Sequence, residues 1–342
     1  MKKGLLVLKP GVLTTVQDQG RFGYRRIGVP VSGALDGESL LLANALAGNP
    51  PQCAGLEILY GGPVFKVAAQ SVRVALAGGQ GRIAIRGGPS IPFWQSLTLE
   101  EGAEFEILPD RRVASSYLAV EGGFAVPLFL GSASTFARAG FGGFEGRALK
   151  EGDLLPLLSP RAAQRQERRL KAPPPFAGDE RIRVVLGPQA DRFEEEALSL
   201  LCTAEFRVSA SADRMGMRLE GPRLSVLGGW DIVSDAIPNG AIQIPGSGQP
   251  ILLLADHQTT GGYAKIATVI SVDLPVVGRR RPGDRVLFSA VGVEEAEALA
   301  RDKAKSLAAL LRELESVPFE DLYDRGRLYG ENLISGVVSG RD

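Results

Sequence analysis

The sequence predicts a mainly β protein of two β-barrel domains, with a few short helices and one helix near the C-terminus. Its 43 glycines and 22 prolines separate short apolar runs, which is typical of a turn-rich β protein. A glycine-containing turn followed by an alternating strand recurs in both halves, at 101–107, 151–155 and 282–288. The 342 residues, 44% of them hydrophobic, are enough for two cores.

Short apolar runs bounded by turn residues predict the strands. Alternation or a continuous buried run of four to eight residues is the signal in each case. Strands are predicted at Leu5–Leu8, Val72–Leu76, Arg82–Ile85, Ile182–Leu186, Ile251–Ala255 and Ile266–Val272.

Three helices are predicted from capping residues and apolar spacing. The first runs from an N-cap at Asp36 to a C-cap at Gly48. A capping-box-like start at Asp191 predicts a helix over Arg192–Leu201. The longest helix is predicted over Glu294–Leu314, where leucines recur at helical spacing, and we expect it to pack on the second domain.

Composition shifts divide the chain into five parts. A charged and then proline-rich stretch that lacks core-forming residues predicts a linker between the two barrels. The predicted division is an N-terminal β-barrel domain at 1–158, a linker at 159–180, a C-terminal β-barrel domain at 181–291, a helix at 292–316 and a tail at 317–342.

Charge and motif content exclude several classes of function. Lys and Arg balance Asp and Glu at 39 each, without the basic excess of a nucleic-acid-binding protein. The chain has two widely spaced cysteines, no long apolar run and one histidine, so we expect a cytoplasmic protein without a disulfide framework, membrane span or metal site. No GxSxG or GxxxxGK[ST] motif occurs. No lysine lies in an Ala-Met-Lys-Met context, so this chain is not expected to carry covalent biotin.

The first polar cluster spans residues 14–36 and interleaves reactive side chains with glycines. Arg21 could clamp a carboxylate or phosphate, and Asp18 could orient Arg21 or act as a base. The alternative is an Asp–Arg pair that only stabilises a turn, with Asp36 serving as a helix cap. Residues 211–221 form a second cluster, in which Arg214 either reaches an anionic ligand or forms a structural salt bridge.

The third cluster, at 256–263, lies in a predicted loop between two strands. Asp256 could hold a substrate N–H, and Thr260 with the amides of Gly261–Gly262 could stabilise developing negative charge. His257 taken alone is explained more simply as a surface histidine in a polar turn. The cluster as a whole favours function, because catalytic loops are usually mounted between rigid strands.

At these clusters the sequence resembles the biotin-dependent carboxyltransferase-domain family. That family contains the C-type component of 5-oxoprolinase, KipA, and the allophanate-hydrolase-like region of urea carboxylase. The resemblance extends over almost the whole chain to about Phe288, and it is carried by Thr14–Gly28, Gly28–Asp36, Gly187-Pro188-Gln189, Asp213–Gly221, Gly240–Pro250 and Asp256–Tyr263.

The resemblance implies cyclophilin-like β-barrels and a heteromeric hydrolase that is active only as a complex. The implied reaction is the ATP-dependent opening of 5-oxo-L-proline to L-glutamate, with Mg²⁺ accompanying ATP, together with a B-type (KipI-like) and an A-type subunit. The implied catalytic residues are Asp18, Asp256, Thr260 and Lys265. The implied substrate-binding residues are Arg21, Ser32, Arg214, Gln243, Gly261, Gly262 and Tyr263.

Two other functions agree with the same resemblance. One is the carboxyltransferase component of a urea-carboxylase-like, biotin-dependent enzyme. The other is a KipA-like regulatory protein that binds a KipI-like kinase inhibitor. A neighbouring gene for an A-type subunit would favour the lactam hydrolase, and a gene for a biotin carboxylase would favour carboxyl transfer.

Overall fold

The computed structural model describes residues 3–174 and 181–318. Strand residues make up 37% and helical residues 17% of the described residues, which confirms the mainly β class. The end of the predicted linker (175–180) and nearly all of the predicted tail (317–342) lie outside the described residues.

The first half of the chain folds into two antiparallel sheets. Its strands are β1 (Gly4–Lys9), β2 (Leu13–Gln17), β3 (Gly55–Leu59), β4 (Val64–Ala68), β5 (Ser71–Ala77), β6 (Arg82–Ile85), β7 (Ser90–Pro92), β8 (Ser96–Glu100), β9 (Glu104–Leu108), β10 (Ser115–Val120), β11 (Leu154–Pro156) and β12 (Arg168–Leu170). One sheet has the order β11-β1-β4-β9-β6-β7, and the other has the order β2-β3-β10-β5-β8. Both contribute to one buried apolar cluster that runs from Leu5 to Leu170.

The second half forms a nine-stranded, nearly closed barrel sheet. Its strands are β13 (Ile182–Leu186), β14 (Phe206–Ala212), β15 (Gly216–Glu220), β16 (Asp231–Ala236), β17 (Ala241–Ile244), β18 (Ile251–Leu253), β19 (Thr260–Val269), β20 (Arg285–Val286) and β21 (Phe288–Ala290). The order is β20-β14-β15-β18-β17-β19-β13-β21, and β16 pairs with β19 outside that path. A second apolar cluster, from Ile182 to Phe288, packs against this sheet. The two clusters agree with two domains, whose boundaries stay a prediction.

Four α-helices occur in the described residues: α1 (Gly37–Ala47), α2 (Glu195–Thr203), α3 (Leu274–Gly278) and α4 (Val293–Arg312). α1 begins and ends as the capping residues predict, because Asp36 accepts a 3.0 Å hydrogen bond from the Ser39 amide and Gly48 is left-handed at φ 81°. α2 begins three residues later than predicted. Phe193 is extended and pairs with Val226, so the chain cannot continue from the preceding 3₁₀ turn into a helix.

The prediction that the long helix packs on the second domain is wrong for its C-terminal half. Leu307, Leu310 and Leu311 of α4 pack against the first apolar cluster. The following strand, β22 (Leu314–Ser316), pairs with β12, which fixes the end of the helix beside the first half.

Part of the predicted linker is packed rather than free. Besides β12, it contains Glu167, which is 7% exposed and accepts hydrogen bonds from Arg73 Nε at 3.0 Å and from the hydroxyls of Ser96 and Thr98 at 2.5 Å. This buried carboxylate holds residues 167–170 against the first half.

Candidate functional site

Arg214 forms the centre of a buried ion network between the two halves. Its guanidinium contacts Asp256 through Nε at 2.8 Å and Nη2 at 3.2 Å, and Nη2 also donates to the Gly33 carbonyl at 2.6 Å. Nη1 donates to Glu57 of β3. Burial disfavours the charged guanidinium, but the carboxylates of Glu57 and Asp256 outweigh it and raise the pKa of Arg214. All three guanidinium nitrogens of Arg214 therefore have acceptors inside the protein. This agrees with the interpretation of Arg214 as part of a structural salt bridge.

Glu57 is the part of this network that sequence reasoning missed. Its side chain is completely buried in an otherwise apolar strand, and it accepts 2.8 Å hydrogen bonds from the Leu35 amide and the Tyr117 hydroxyl. Burial, followed by the charge of Glu57, raises the pKa of Tyr117 well above its ordinary value, so the phenol stays a donor. The only sequence signal for this buried carboxylate is one acidic residue among the otherwise apolar residues of Gly55–Leu59.

Asp18 accepts hydrogen bonds from its own loop and from residues 132–134. Oδ1 accepts hydrogen bonds from Gly20 N at 2.8 Å and from the hydroxyls of Ser132 at 2.7 Å and Ser134 at 2.5 Å. Oδ2 accepts from the amide of Ala133 at 2.7 Å. With donors on both oxygens, Asp18 shapes the site by joining residues 18–20 to residues 132–134, and it is not poised as a free base.

Arg21 and Ser32 differ from Asp18 because each keeps a polar atom without a partner. Among the described residues, Arg21 Nη1 and Ser32 Oγ are buried and make no hydrogen bond. Ser32 also has φ 54°, a strained value for a residue other than glycine, and its amide donates to the Ala255 carbonyl at 3.0 Å. Such atoms are candidates for contact with a ligand.

The charges of the first and third clusters act on one another. Burial lowers the pKa of Arg21, whereas the charges of Asp18 and Asp256 act in the opposite direction. The Ser32–Ala255 hydrogen bond joins the first cluster to the residue before the third, and the contact of Arg214 with Gly33 joins the first cluster to the second. The 18–33 loop and the 255–257 segment are thus neighbours at the junction of the two halves.

His257 is buried, with 4% of its surface exposed, so the expectation of a surface histidine is wrong. Burial is the main cause that lowers its pKa, and the nearby charge of Arg25 acts in the same direction. The ring is therefore neutral at pH 7 and can accept or donate a hydrogen bond without carrying a charge.

A cavity of about 410 Å³ opens on one face of the second sheet. Side chains alternate across the sheet, so Ile242, Met217 and Leu252 enter the second apolar cluster while their neighbours line the cavity. Its polar lining comes from several strands and loops: Ser211, Asp213, Arg218, Gln243, Gln258 and Tyr263. Two of the predicted residues, Gln243 and Tyr263, therefore face a space large enough for a small molecule.

Lys265 lies beside this cavity and is 1% exposed. It pairs with Gln243 across β17 and β19, and side chains of paired residues leave the same face of a sheet. Its Nζ donates to Asp235 Oδ2 at 2.7 Å, and its backbone amide donates to Gln189 Oε1 at 3.3 Å. Neither Asp235 nor Gln189 was among the predicted site residues.

Thr260, Gly261 and Gly262 were predicted to lie in a loop, which is wrong. They begin β19 and pair with the exposed strand β16, with Gly261 opposite Asp235. A methyl group on Gly261 would lie 2.7 Å from Ile237 and 3.1 Å from Gln243 Nε2, so glycine allows close packing at this position.

The predicted residues thus form two groups rather than one cavity. The junction group contains Asp18, Arg21, Ser32, Arg214 and Asp256. The cavity group contains Gln243 and Tyr263, which line the cavity, and their neighbours on β19, which do not: Thr260, Gly261, Gly262 and Lys265. Residues 256–263 connect the two groups along the chain. A second connection runs through Arg214, because its neighbours Asp213 and Met215 line the cavity.

Two kinds of feature are absent from the described ranges. Within residues 3–174 and 181–318, no three His, Cys, Asp or Glu side chains converge on a position that could hold a metal ion. Over the same ranges, every helix is too short or too polar to span a membrane.

Comparison with known proteins gives a consistent result. The model of the carboxyltransferase domain, subdomains A and B, matches residues 27–290. The chain is 33% identical to the C-type component of 5-oxoprolinase from Escherichia coli, over 88% of this chain and 96% of that protein. It is 35% identical to the Haemophilus influenzae protein of the same name, over 84% of this chain and 91% of that one. The Kluyveromyces lactis urea carboxylase structure has a TM-score of 0.82 and 30% identity, covering 94% of this chain but only 30% of its own.

Proposed function

Since the chain belongs to the carboxyltransferase-domain family, we propose that it is the C-type component of an ATP-dependent 5-oxoprolinase complex. The observation that carries this proposal is the extent of the similarity to relatives of that name, which spans 96% of the Escherichia coli protein. The complex opens the lactam of 5-oxo-L-proline to give L-glutamate.

The proposed complex contains a B-type and an A-type subunit in addition to this chain. Both bacterial relatives are named as one lettered component of 5-oxoprolinase, which supports a multi-subunit enzyme. This chain has no GxxxxGK[ST] loop, so we propose that ATP and Mg²⁺ are bound with the help of the partner subunits.

The proposed chemistry explains why ATP is needed. A lactam is a resonance-stabilised amide and resists attack by water. Transfer of the terminal phosphoryl group of ATP to the lactam oxygen removes that resistance and releases ADP. Water then adds to the activated carbon, and the C–N bond breaks as the nitrogen takes up a proton, which leaves an acyl phosphate. A second water molecule hydrolyses this acyl phosphate to the side-chain carboxylate of L-glutamate and free phosphate.

The cavity group has the chemistry to hold such a substrate. The carboxamides of Gln243 and Gln258 each present a donor and an acceptor, which match the C=O and N–H of a lactam. Tyr263 lines the same space, and Lys265, two residues further along β19, would supply a positive charge for the substrate carboxylate.

The junction group acts on the cavity by positioning it. Asp256 begins the 256–263 segment and is held by Arg214, which is itself held by Glu57 of the first half. The packing of the two halves against each other therefore fixes the start of residues 256–263, the segment that contains the cavity residues Gln258 and Tyr263. The unpartnered atoms of Arg21 and Ser32 lie buried in the same junction, and we propose that they bind a phosphate or carboxylate once the complex is assembled.

Reconstitution tests the proposed function. The purified chain should show no 5-oxoproline-dependent ATP hydrolysis by itself. It should gain this activity when B-type and A-type subunits are added, with one glutamate formed for each ATP hydrolysed. Tyr263→Phe and Gln243→Leu should weaken it in the assembled enzyme. Activity of the isolated chain would contradict the subunit model. An assembled complex without activity would contradict 5-oxo-L-proline as the substrate.

Carboxyl transfer is a second candidate, favoured by the TM-score of 0.82 to urea carboxylase over 94% of this chain. In that case the cavity would receive carboxybiotin from another polypeptide, and the acceptor would be an amide nitrogen. Transfer of ¹⁴C-labelled carboxyl groups from carboxybiotin to urea, with no ATP-dependent glutamate formation, would select this candidate over the lactam hydrolase.

A further inference from the structure

The buried ammonium group of Lys265 is neutralised by a carboxylate from a weakly held strand. Lys265 is 1% exposed, and Asp235 is the only side chain of the described residues that accepts a hydrogen bond from its Nζ, at 2.7 Å. A buried ammonium group is costly without a counter-charge, so this site needs an anion.

Asp235 is a replaceable partner because its own surroundings are open. Its side chain is 50% exposed, and its other side-chain contact across the site is a 3.5 Å hydrogen bond from Gln189. Asp235 belongs to β16, where five of six residues are exposed and which pairs with β19 alone, across an irregular register. Moving this carboxylate aside disturbs little of the apolar core.

The position of Lys265 links this ion pair to the cavity. Lys265 lies opposite Gln243, whose side chain lines the cavity, and two residues from Tyr263, which also lines it. Lys265 is therefore a buried positive charge on the sheet face that Gln243 and Tyr263 present to the cavity.

We propose that Asp235 is a latch that neutralises Lys265 while the cavity is empty and yields to the carboxylate of an incoming substrate. Asp235 is thus a positioning and specificity residue, and the site selects small lactams that carry a carboxylate. An uncharged lactam cannot replace the negative charge of Asp235, so the ion pair between Asp235 and Lys265 stays intact. The identity of the lactam rests on the proposed function, but the latch itself does not.

Steady-state kinetics of the assembled complex test the selectivity. Asp235→Asn removes the competing anion, so the KM for 5-oxo-L-proline should fall roughly two- to fivefold, the range expected for one partly exposed ion pair. The inhibition constant of 2-pyrrolidinone, which lacks the carboxylate, should not change. Asp231→Asn, an exposed substitution on the same strand, is the matched control and should change neither constant.

A purely structural role for Asp235 would give a different pattern. Damage to β16 would raise the KM, lower kcat, and weaken 2-pyrrolidinone as well. An unchanged or raised KM for 5-oxo-L-proline in the Asp235→Asn complex would overturn the proposed selectivity.

Chemical modification of the full chain tests the latch without any assumption about the substrate. The rate at which a small amine reagent modifies Lys265, followed by mass spectrometry, should rise several-fold in Asp235→Asn and stay constant in Asp231→Asn. An unchanged rate would overturn the latch. If the rate rises and acetate protects Lys265 but 5-oxo-L-proline does not, the latch stands and the assignment of the lactam fails.

Discussion

Replacement of Arg214 by methionine tests whether the buried network joins the two halves. The substitution removes the counter-charge that Glu57 and Asp256 share, and both carboxylates are buried, with 0% and 6% of their surface exposed. It also removes the donor to the Gly33 carbonyl. Removing one partner of a buried ion pair costs about 3–5 kcal/mol, because the remaining charge stays desolvated. We expect the free energy of unfolding, from urea denaturation, to fall by about that amount.

An exposed ion pair supplies the control for this experiment. Arg301 and Glu297 of α4 lie 3.5 Å apart, with side chains 64% and 65% exposed, so Arg301→Met should cost no more than about 0.5 kcal/mol. Adding Glu57→Gln to Arg214→Met removes one orphaned charge and should restore part of the lost stability. A loss of less than about 1 kcal/mol for Arg214→Met alone would refute the view that Arg214 fastens the halves together.

Three further outcomes are expected. Ser32→Gly relieves the φ of 54° and should leave stability within about 1 kcal/mol of the unmodified chain, yet it should lower the activity of the complex because the unpartnered Oγ is lost; unchanged kinetics would remove Ser32 from the site. Burial lowers the pKa of His257 below its ordinary 6.5, so the unfolded chain binds the proton more readily and stability should fall as the pH drops below about 6.5; thermal denaturation between pH 7.5 and 5.5 should show a smaller fall for His257→Gln, and equal slopes would contradict the assignment. Gly62→Ala would place a methyl group 1.5 Å from the Ile107 carbonyl oxygen and should cost about 3 kcal/mol or more. Gly292→Ala, with 3.6 Å of space, loses only the preference for glycine at the N-cap of α4 and should cost no more than about 1 kcal/mol.

Local sequence signals predicted the elements whose causes are local. The caps at Asp36 and Gly48 need only neighbouring residues and occur as expected, and four of the six predicted strands lie within observed ones. The other two were predicted too far: the strand from Ile251 ends at Leu253, and the strand predicted over 266–272 begins at Thr260 and ends at Val269, before a 3₁₀ turn. The start of α2 could not be predicted, because Phe193 is held extended by Val226, far along the chain. The docking of α4 on the first half depends on the pairing of β12 with β22, which no local pattern reveals.

The candidate site shows the same division between local and long-range causes. Polar clusters around glycines identified Asp18, Arg214 and Asp256 as special positions, but not the contacts that engage them. Glu57 lies in an otherwise apolar strand, and Asp235 lies in an exposed strand of mixed polarity. Both become meaningful only when the fold brings each of them to a buried cation from a distant segment.

A crystal structure of the assembled complex with 5-oxo-L-proline, in the absence of ATP, tests the account most directly. We expect the lactam in the cavity of this chain, between Gln243 and Tyr263, with its carboxylate on Lys265 and Asp235 turned aside. A lactam bound entirely by another subunit, with Lys265 still paired to Asp235, would contradict the assignment of this cavity as the substrate site.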